Sequence, residues 1–255
     1  MIEDKSVRFM SLTDSMCKSS DLTKEEQKLC YEFASDLHEI IGDLENKGYL
    51  RSNLNLKQDE KEKTNFLRVI GNVRNVTKAF NMFFDMYAER VKPDCRQRLK
   101  KFLELNKSYG MTENDLVYLL FSEMIFVYLQ NIEEFRATFL TILELPIIYL
   151  VGKDRKTIRC RTELGKLLRS FRELGIKKID ALNVIDYELR NGLSHCLFWF
   201  DAKGDEHHSK PHLHYSKDMT FKEVSCISLA DLYIKTRQQS IFTNCLLNVV
   251  ADWFT

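Results

Sequence analysis

Nine glycines and three prolines are spread over 255 residues. That scarcity constrains the fold more than any other feature of the chain. Sandwiches and barrels need turn residues about every 8–12 positions, and these are missing. The expectation is therefore an all-α protein with at most a small local sheet. Hydrophobic residues make up 44% and charged residues 29%, an ordinary globular balance that excludes wholesale disorder. Thirty-eight basic against 37 acidic residues leave a net charge of +1. Any affinity for nucleic acid must then come from local patches.

The first twenty residues lack an apolar run followed by a small-residue cleavage site, so no secretory signal is expected. The most apolar stretch, Leu116 to Leu129, is interrupted by Glu123. It is shorter than the roughly 20 residues a bilayer span requires, and it reads as a core helix. No membrane partner is expected. The cysteines are Cys17, Cys30, Cys95, Cys160, Cys196, Cys226 and Cys245. This scattered, odd set contains no C-x-x-C and suggests neither a disulfide framework nor a zinc ribbon. The expected compartment is the reducing cytoplasm, with the thiols acting as small core hydrophobes.

Local signals divide the chain further. Thr23 and Glu26 have the spacing of a capping box, and Gly48 suits the position just past the end of that helix. A polar stretch, Gln58 to Lys63, precedes a helical pattern from Thr64 to Val91 that Pro93 ends. A basic helix is expected over Asp94 to Asn106, stopped by Gly110. Thr112 and Asp115 open a segment that is apolar almost all round as far as Pro146, the pattern of a helix at the centre of a bundle. Leu164, Leu167, Leu168 and Phe171 keep helical spacing, and Gly175 closes that helix. Leu182, Ile185, Leu189 and Leu193 form the stripe of the next. The period then changes. Residues near 196–216 read as a β-hairpin with strands around Leu197 to Phe200 and His212 to Tyr215. A last helix runs from about Ser228, with Phe242, Leu246, Val249, Val250 and Trp253 on one face. The expected organisation is an N-terminal helical region over 1–110 and a four-helix domain over 111–255, with Gly110 as the boundary.

Chemistry concentrates at the end of the third core helix, D-Y-E-L-R-N-G-L-S-H, Asp186 to His195. Asn191 and His195 are four apart and share a helix face. Arg190 and His195 are five apart, about 140° around an ideal axis. The long arginine side chain spans that angle if Gly192 loosens the last turn. Asp186 stands four residues before Arg190, the favourable order for an ion pair. A fixed cation, an imidazole and an amide in one small volume suit RNA phosphodiester cleavage. Histidine moves a proton near neutral pH, and arginine holds a phosphate and offsets developing charge. With these groups alone the natural route is attack by the ribose 2′-hydroxyl on its own phosphate, without a metal. On spacing alone, however, a structural arginine and a dipole-facing histidine are the favoured explanation.

The segment Leu189-Arg190-Asn191-Gly192-Leu193-Ser194-His195 resembles the R-N-x-x-x-H signature of the HEPN superfamily. The motif's place late in the third of four core helices is similar to the family pattern. So are the hairpin-like CLFWFDAKGDE…HLHYS that follows and the glycine-containing Glu163-Leu164-Gly165-Lys166-Leu167-Leu168 upstream. The likeness covers about residues 113–255, and nothing in 1–110 matches it. It implies a four-helix bundle with a small hairpin between its third and fourth helices. It also implies a metal-independent endoribonuclease without cofactors, homodimeric, with two motifs meeting in one cleft. Arg190 and His195 would be the catalytic pair, supported by Asn191. Asp186 and Glu188 are further candidates by proximity. The resemblance further implies a toxin or defence-type effector released by an antitoxin or regulatory protein. The alternative within the same family is a catalytically silent module that binds RNA, nucleotides or proteins.

Lys153 to Lys178 holds ten basic and three acidic residues. Within it Arg155, Lys156, Arg159, Arg161, Lys166, Arg169 and Arg172 are candidates to hold RNA phosphates; a solvated helix face is the equal alternative. Arg90 to Lys107 is a weaker second basic run. His207, His208, His212 and His214 form H-H-x-x-x-H-x-H, with His212 and His214 on one side of a strand. No cysteine or carboxylate stands at ligand spacing, so no metal site is expected, although adventitious nickel or zinc binding is. Cys196 follows His195 directly, and adjacent residues on a helix point apart, which disfavours a cysteine nucleophile. No phosphate-cradling, dinucleotide-binding or nucleophile-elbow glycine motif is present.

Overall fold

The computed structural model describes residues 22–50, 68, 75, 104, 109–142, 164–201 and 211–254. They form a mostly helical protein with one small antiparallel sheet. Arg68, Asn75 and Glu104 are helical. The rest of the helices expected over Thr64 to Val91 and Asp94 to Asn106 lies outside the described residues, as do Arg155, Lys156, Arg159, Arg161, His207 and His208. Among the described residues no helix is long and apolar enough to cross a membrane.

In chain order the elements are α1 (Lys24–Asn46), α2 (Glu113–Ile142), α3 (Leu164–Glu173), a 3-10 turn (Ile179–Val184), α4 (Tyr187–Ser194), β1 (Phe198–Asp201), β2 (His212–Ser216), β3 (Val224–Ser228) and α5 (Leu229–Phe254). The chain divides into two compact units, neither of them continuous in sequence. The first takes Met1–Asn72, Asn131–Ile185 and Gln238–Thr255, and the second takes Val73–Gln130 and Asp186–Arg237.

In the first unit, α1 begins where the capping box predicts. The Thr23 N–H donates to Glu26 Oε2 at 2.8 Å, and the Glu26 N–H donates to Thr23 Oγ1 at 3.2 Å. Its end is equally legible. Gly48, at φ +70°, lets the Tyr49 N–H reach the Leu44 carbonyl at 2.8 Å and its own N–H reach Glu45 at 2.9 Å. These are the two bonds of a Schellman cap. α3 closes the same way through Gly175. Cys30, Ala34, Leu37, Ile40, Ile41 and Leu44 line the buried stripe of α1. Phe33 meets Phe242 of α5 edge-on at 5.1 Å, and Phe139 of α2 meets Phe171 of α3 at 5.1 Å. The 3-10 turn docks through Lys178, whose Nζ lies 3.2 Å from Asp36.

The most fully buried helical segment differs from the sequence expectation. From Ile241 to Val250 every residue of α5 except Asn244 is buried. The polar residues among them are held by neighbours: Asn131 Nδ2 donates to Ser240 Oγ at 2.7 Å, and Thr243 Oγ1 donates to the Asn131 carbonyl at 3.3 Å. α2, apolar nearly all round in sequence, keeps a face in solvent, with Phe126 61% and Tyr118 41% exposed.

In the second unit the expected hairpin is present and gains a third strand. The sheet order is β1-β2-β3, all antiparallel, with Phe198 opposite Tyr215 and Leu213 opposite Ile227. An Asx turn precedes β3, in which the Thr220 N–H donates to Asp218 Oδ1 at 2.8 Å. Phe200 of β1 stacks on Phe121 of α2 at 4.9 Å. Leu213, Tyr215 and Ile227 are buried, whereas Trp199 stacks its ring parallel to His214 at 5.1 Å on the other face. Thr112 and Asp115 cap α2 reciprocally, and Ser228 accepts from the Asp231 N–H at 3.1 Å to cap α5.

Candidate active site

The stripe Leu182, Ile185, Leu189 and Leu193 suggests one unbroken helix, but the chain makes a 3-10 turn to Val184 and restarts as α4. Asp186 causes the restart. Its backbone is extended (φ −83°, ψ 109°), and Oδ1 accepts from the Leu189 N–H at 3.1 Å. An aspartate in this geometry caps a new helix and opposes continuation of the old one. Its Oδ2 takes Lys235 Nζ of α5 at 2.9 Å, and its carbonyl accepts from Tyr128 Oη at 3.3 Å. The cation on Asp186 is therefore Lys235, a correction to the expected pairing with Arg190.

α4 presents Leu189, Gly192 and Leu193 to the interior. Gly192 explains why the helix lies so close to the sheet. A Cβ at this position would stand 3.0 Å from the Ser216 carbonyl oxygen and 3.0 Å from Tyr215 Cβ. The C-terminus is built by the same cap that ends α1 and α3. The Leu197 N–H donates to the Gly192 carbonyl at 2.8 Å and the Cys196 N–H to Leu193 at 3.2 Å. Here the left-handed residue, at φ +56°, is Cys196 rather than a glycine.

The motif side chains occupy the remaining positions. Arg190 and Asn191 are half-buried, and Arg190 Nη1 donates to Asn191 Oδ1 at 3.2 Å. His195 is the C-cap residue, with an exposed side chain and an N–H that donates to the Asn191 carbonyl at 3.1 Å. The structure thus joins Arg190 to Asn191 and sets His195 one turn beyond them at the solvent end of α4. Glu188 is on the exposed side, 3.8 Å from Lys217 Nζ, which is itself held by Glu223. Those carboxylates raise the affinity of Lys217 for its proton, Glu223 most. Burial, with the charge of Asp186 and to a lesser extent Glu188, pushes the Tyr215 phenol above its ordinary range, while its hydrogen bond with Ser225 acts against this.

Lys166, Arg169 and Arg172 form the exposed stripe of α3, opposite buried Leu164, Leu167, Leu168 and Phe171. α3 belongs to the first unit and α4 to the second. His212 and His214 share one face of β2, as their alternation predicts, and His212 is buried. Among the described residues no group of three or more His, Cys, Asp or Glu side chains is arranged to hold a metal ion. Sequence reasoning missed Lys235 and the third strand, β3. The alternation of β3, Val224-Ser225-Cys226-Ile227, was the available signal for the third strand. No protein-family model, curated protein or solved structure matches the chain.

Proposed function

We propose that the protein is a HEPN-like, metal-independent endoribonuclease, acting as a homodimer in the manner of a toxin or defence-type effector. The observation that carries this reading is the end of α4. A guanidinium hydrogen-bonded to a neighbouring amide stands one turn from a solvent-exposed histidine at the helix C-terminus. In this mechanism Arg190 holds the scissile phosphate and offsets the charge that builds on it. Asn191 limits the directions available to the guanidinium. His195 exchanges a proton with the ribose 2′-hydroxyl or the leaving 5′-oxygen. The products are a 2′,3′-cyclic phosphate and a free 5′-hydroxyl. The exposed bases of α3, Lys166, Arg169 and Arg172, supply sequence-independent affinity for the RNA backbone.

The test is gel analysis of total RNA and transfer RNA incubated with purified protein in excess chelator, beside Arg190→Ala and His195→Ala made identically. Removal of a proton-transfer group or of a group that offsets transition-state charge typically costs about 10²–10⁴-fold in rate, so cleavage by both variants should vanish on the gel. Binding without products would identify a silent RNA-binding module. Equal cleavage by parent and variants would defeat the assignment of these residues.

A further inference from the structure

We propose that Cys30 and Cys245 are a redox-responsive pair that oxidation closes into a disulfide joining α1 to α5. Their Sγ atoms lie 3.6 Å apart although 215 positions separate them in sequence. Cys245 Sγ is also 3.5 Å from the Cys30 carbonyl, a second contact that holds one thiol toward the other. A disulfide requires about 2.05 Å, so modest rotation of two side chains brings the sulfurs together. The proposal is independent of the ribonuclease reading, since neither cysteine belongs to the motif.

Burial sets how the pair reacts. Cys30 is 1% and Cys245 0% exposed, so an oxidant in solution meets them only when α1 lifts from α5, a local opening that leaves the rest folded. In that open state one thiol loses its proton and attacks a small-molecule disulfide, releasing one small thiol. As α1 closes, the second cysteine displaces the other small thiol from the mixed disulfide. The protein loses two electrons and two protons, and the oxidant becomes two thiols. An exposed cysteine without a neighbouring thiol stops at the mixed disulfide. Cys30 and Cys245 proceed because the resolving thiol is already positioned. Closure then prevents the next opening of α1.

The experiment treats the full-length reduced protein with oxidised glutathione across temperatures approaching its unfolding midpoint. Free thiols are blocked with N-ethylmaleimide, and the unreduced digest is mapped by mass spectrometry. The expected product is a peptide pair linked through Cys30 and Cys245, two hydrogens lighter than the sum of its parts. The unfolding midpoint should rise, and dithiothreitol should reverse that rise. Cys30→Ser and Cys245→Ala should each abolish it. Should either variant fail to fold, the map of the unsubstituted protein decides alone. Recovery of both thiols as maleimide adducts after unfolding, while exposed Cys196 or Cys226 carries glutathione, would overturn the proposal. So would a cross-link that pairs either residue with another cysteine.

Discussion

Two helical glycines should respond to alanine with opposite sign, and the difference measures how tightly α4 is seated on β2. Inside a helix, glycine is less favourable than alanine by about 0.8–1 kcal/mol. Gly42, in α1, has room: among the described residues a Cβ there would meet only the Trp253 ring, at 3.9 Å, an ordinary van der Waals contact. Gly42→Ala should therefore stabilise by about 0.5–1 kcal/mol. Gly192 has no such room. Its added methyl would stand 3.0 Å from the Ser216 carbonyl oxygen, 3.0 Å from Tyr215 Cβ and 3.2 Å from Tyr215 Cδ2. The first two atoms belong to or adjoin the backbone of β2, which is hydrogen-bonded to strands on both sides. They cannot rotate away as a side-chain tip can. Overpacking of this kind costs about 1–3 kcal/mol. Gly192 is in the last turn, where the propensity gain is smallest, so Gly192→Ala should destabilise by about 1–2 kcal/mol. For a chain of this size that lowers the thermal midpoint by about 2–8 °C. Circular dichroism melts of the parent and both variants, with urea titrations to check the slope, give the answer. A Gly192→Ala midpoint equal to or above that of the parent would refute the argument, because β2 would then yield at no cost.

Other substitutions test separate parts of the same structure. Cys196→Gly should stabilise by about 0.5–1 kcal/mol, because Cys196 holds φ +56° in a helix cap that glycine fills without strain; a urea midpoint below that of the parent would contradict this. Asp186→Ala should cost about 1–2 kcal/mol by removing the cap of α4, while Asp186→Asn, which keeps a capping oxygen and loses only the charge facing Lys235, should cost about 0.5 kcal/mol or less. Equal losses in chemical denaturation would show that the ion pair, not the cap, matters. Among the described residues Asp252 Oδ2 is buried without a hydrogen-bond partner, and burial raises the carboxyl pKa to about 6. The folded state therefore holds a proton that the unfolded state releases at lower pH, and the associated stability is lost as pH rises through about 6. Asp252→Asn should gain about 1–2 kcal/mol over the parent above pH 7, after discounting for partial exposure, and the gain should disappear below pH 4; a difference independent of pH would exclude titration of Asp252 as its source.

What the sequence disclosed was mostly what single residues decide locally. Thr23 with Glu26, Thr112 with Asp115, and the glycines 48 and 175 mark helix ends because capping geometry admits few residue types. The strands β1 and β2 were legible from the change of period. The break before α4 was not, because Leu182, Ile185, Leu189 and Leu193 keep helical spacing straight through it. Aspartate is also ambiguous, serving equally as an i,i+4 partner or as a cap. Lys235, 49 residues from Asp186, settles that ambiguity only in three dimensions. The exposed face of α2 was hidden for a related reason. Tyr118 and Phe126 are as apolar as their buried neighbours, and composition does not report which side of a helix the rest of the chain covers. The motif residues were identifiable by type and spacing, and β2 by its period, whereas the seating of Gly192 against β2 was not.

The spacing of Arg190, Asn191 and His195 has a structural cause that is separate from any chemistry. Two of the three residues between Asn191 and His195, Gly192 and Leu193, carry the docking of α4. Gly192 permits the approach to β2, Leu193 is buried, and the Gly192 carbonyl accepts the bond that ends the helix. Adding or removing one residue there would turn His195 by about 100° relative to Asn191 and displace Gly192 from its seat at the same time. Position and packing are thus fixed together, while Arg190, Asn191 and His195 are not among the buried residues of α4. Their substitution by alanine should leave the unfolding midpoint nearly unchanged, unlike Gly192→Ala. That contrast separates two explanations of lost RNA cleavage. Loss at an unchanged midpoint in Arg190→Ala and His195→Ala assigns the defect to the reacting groups. Loss that tracks a falling midpoint assigns it to the seat of α4, and the catalytic role of the pair would then have to be withdrawn.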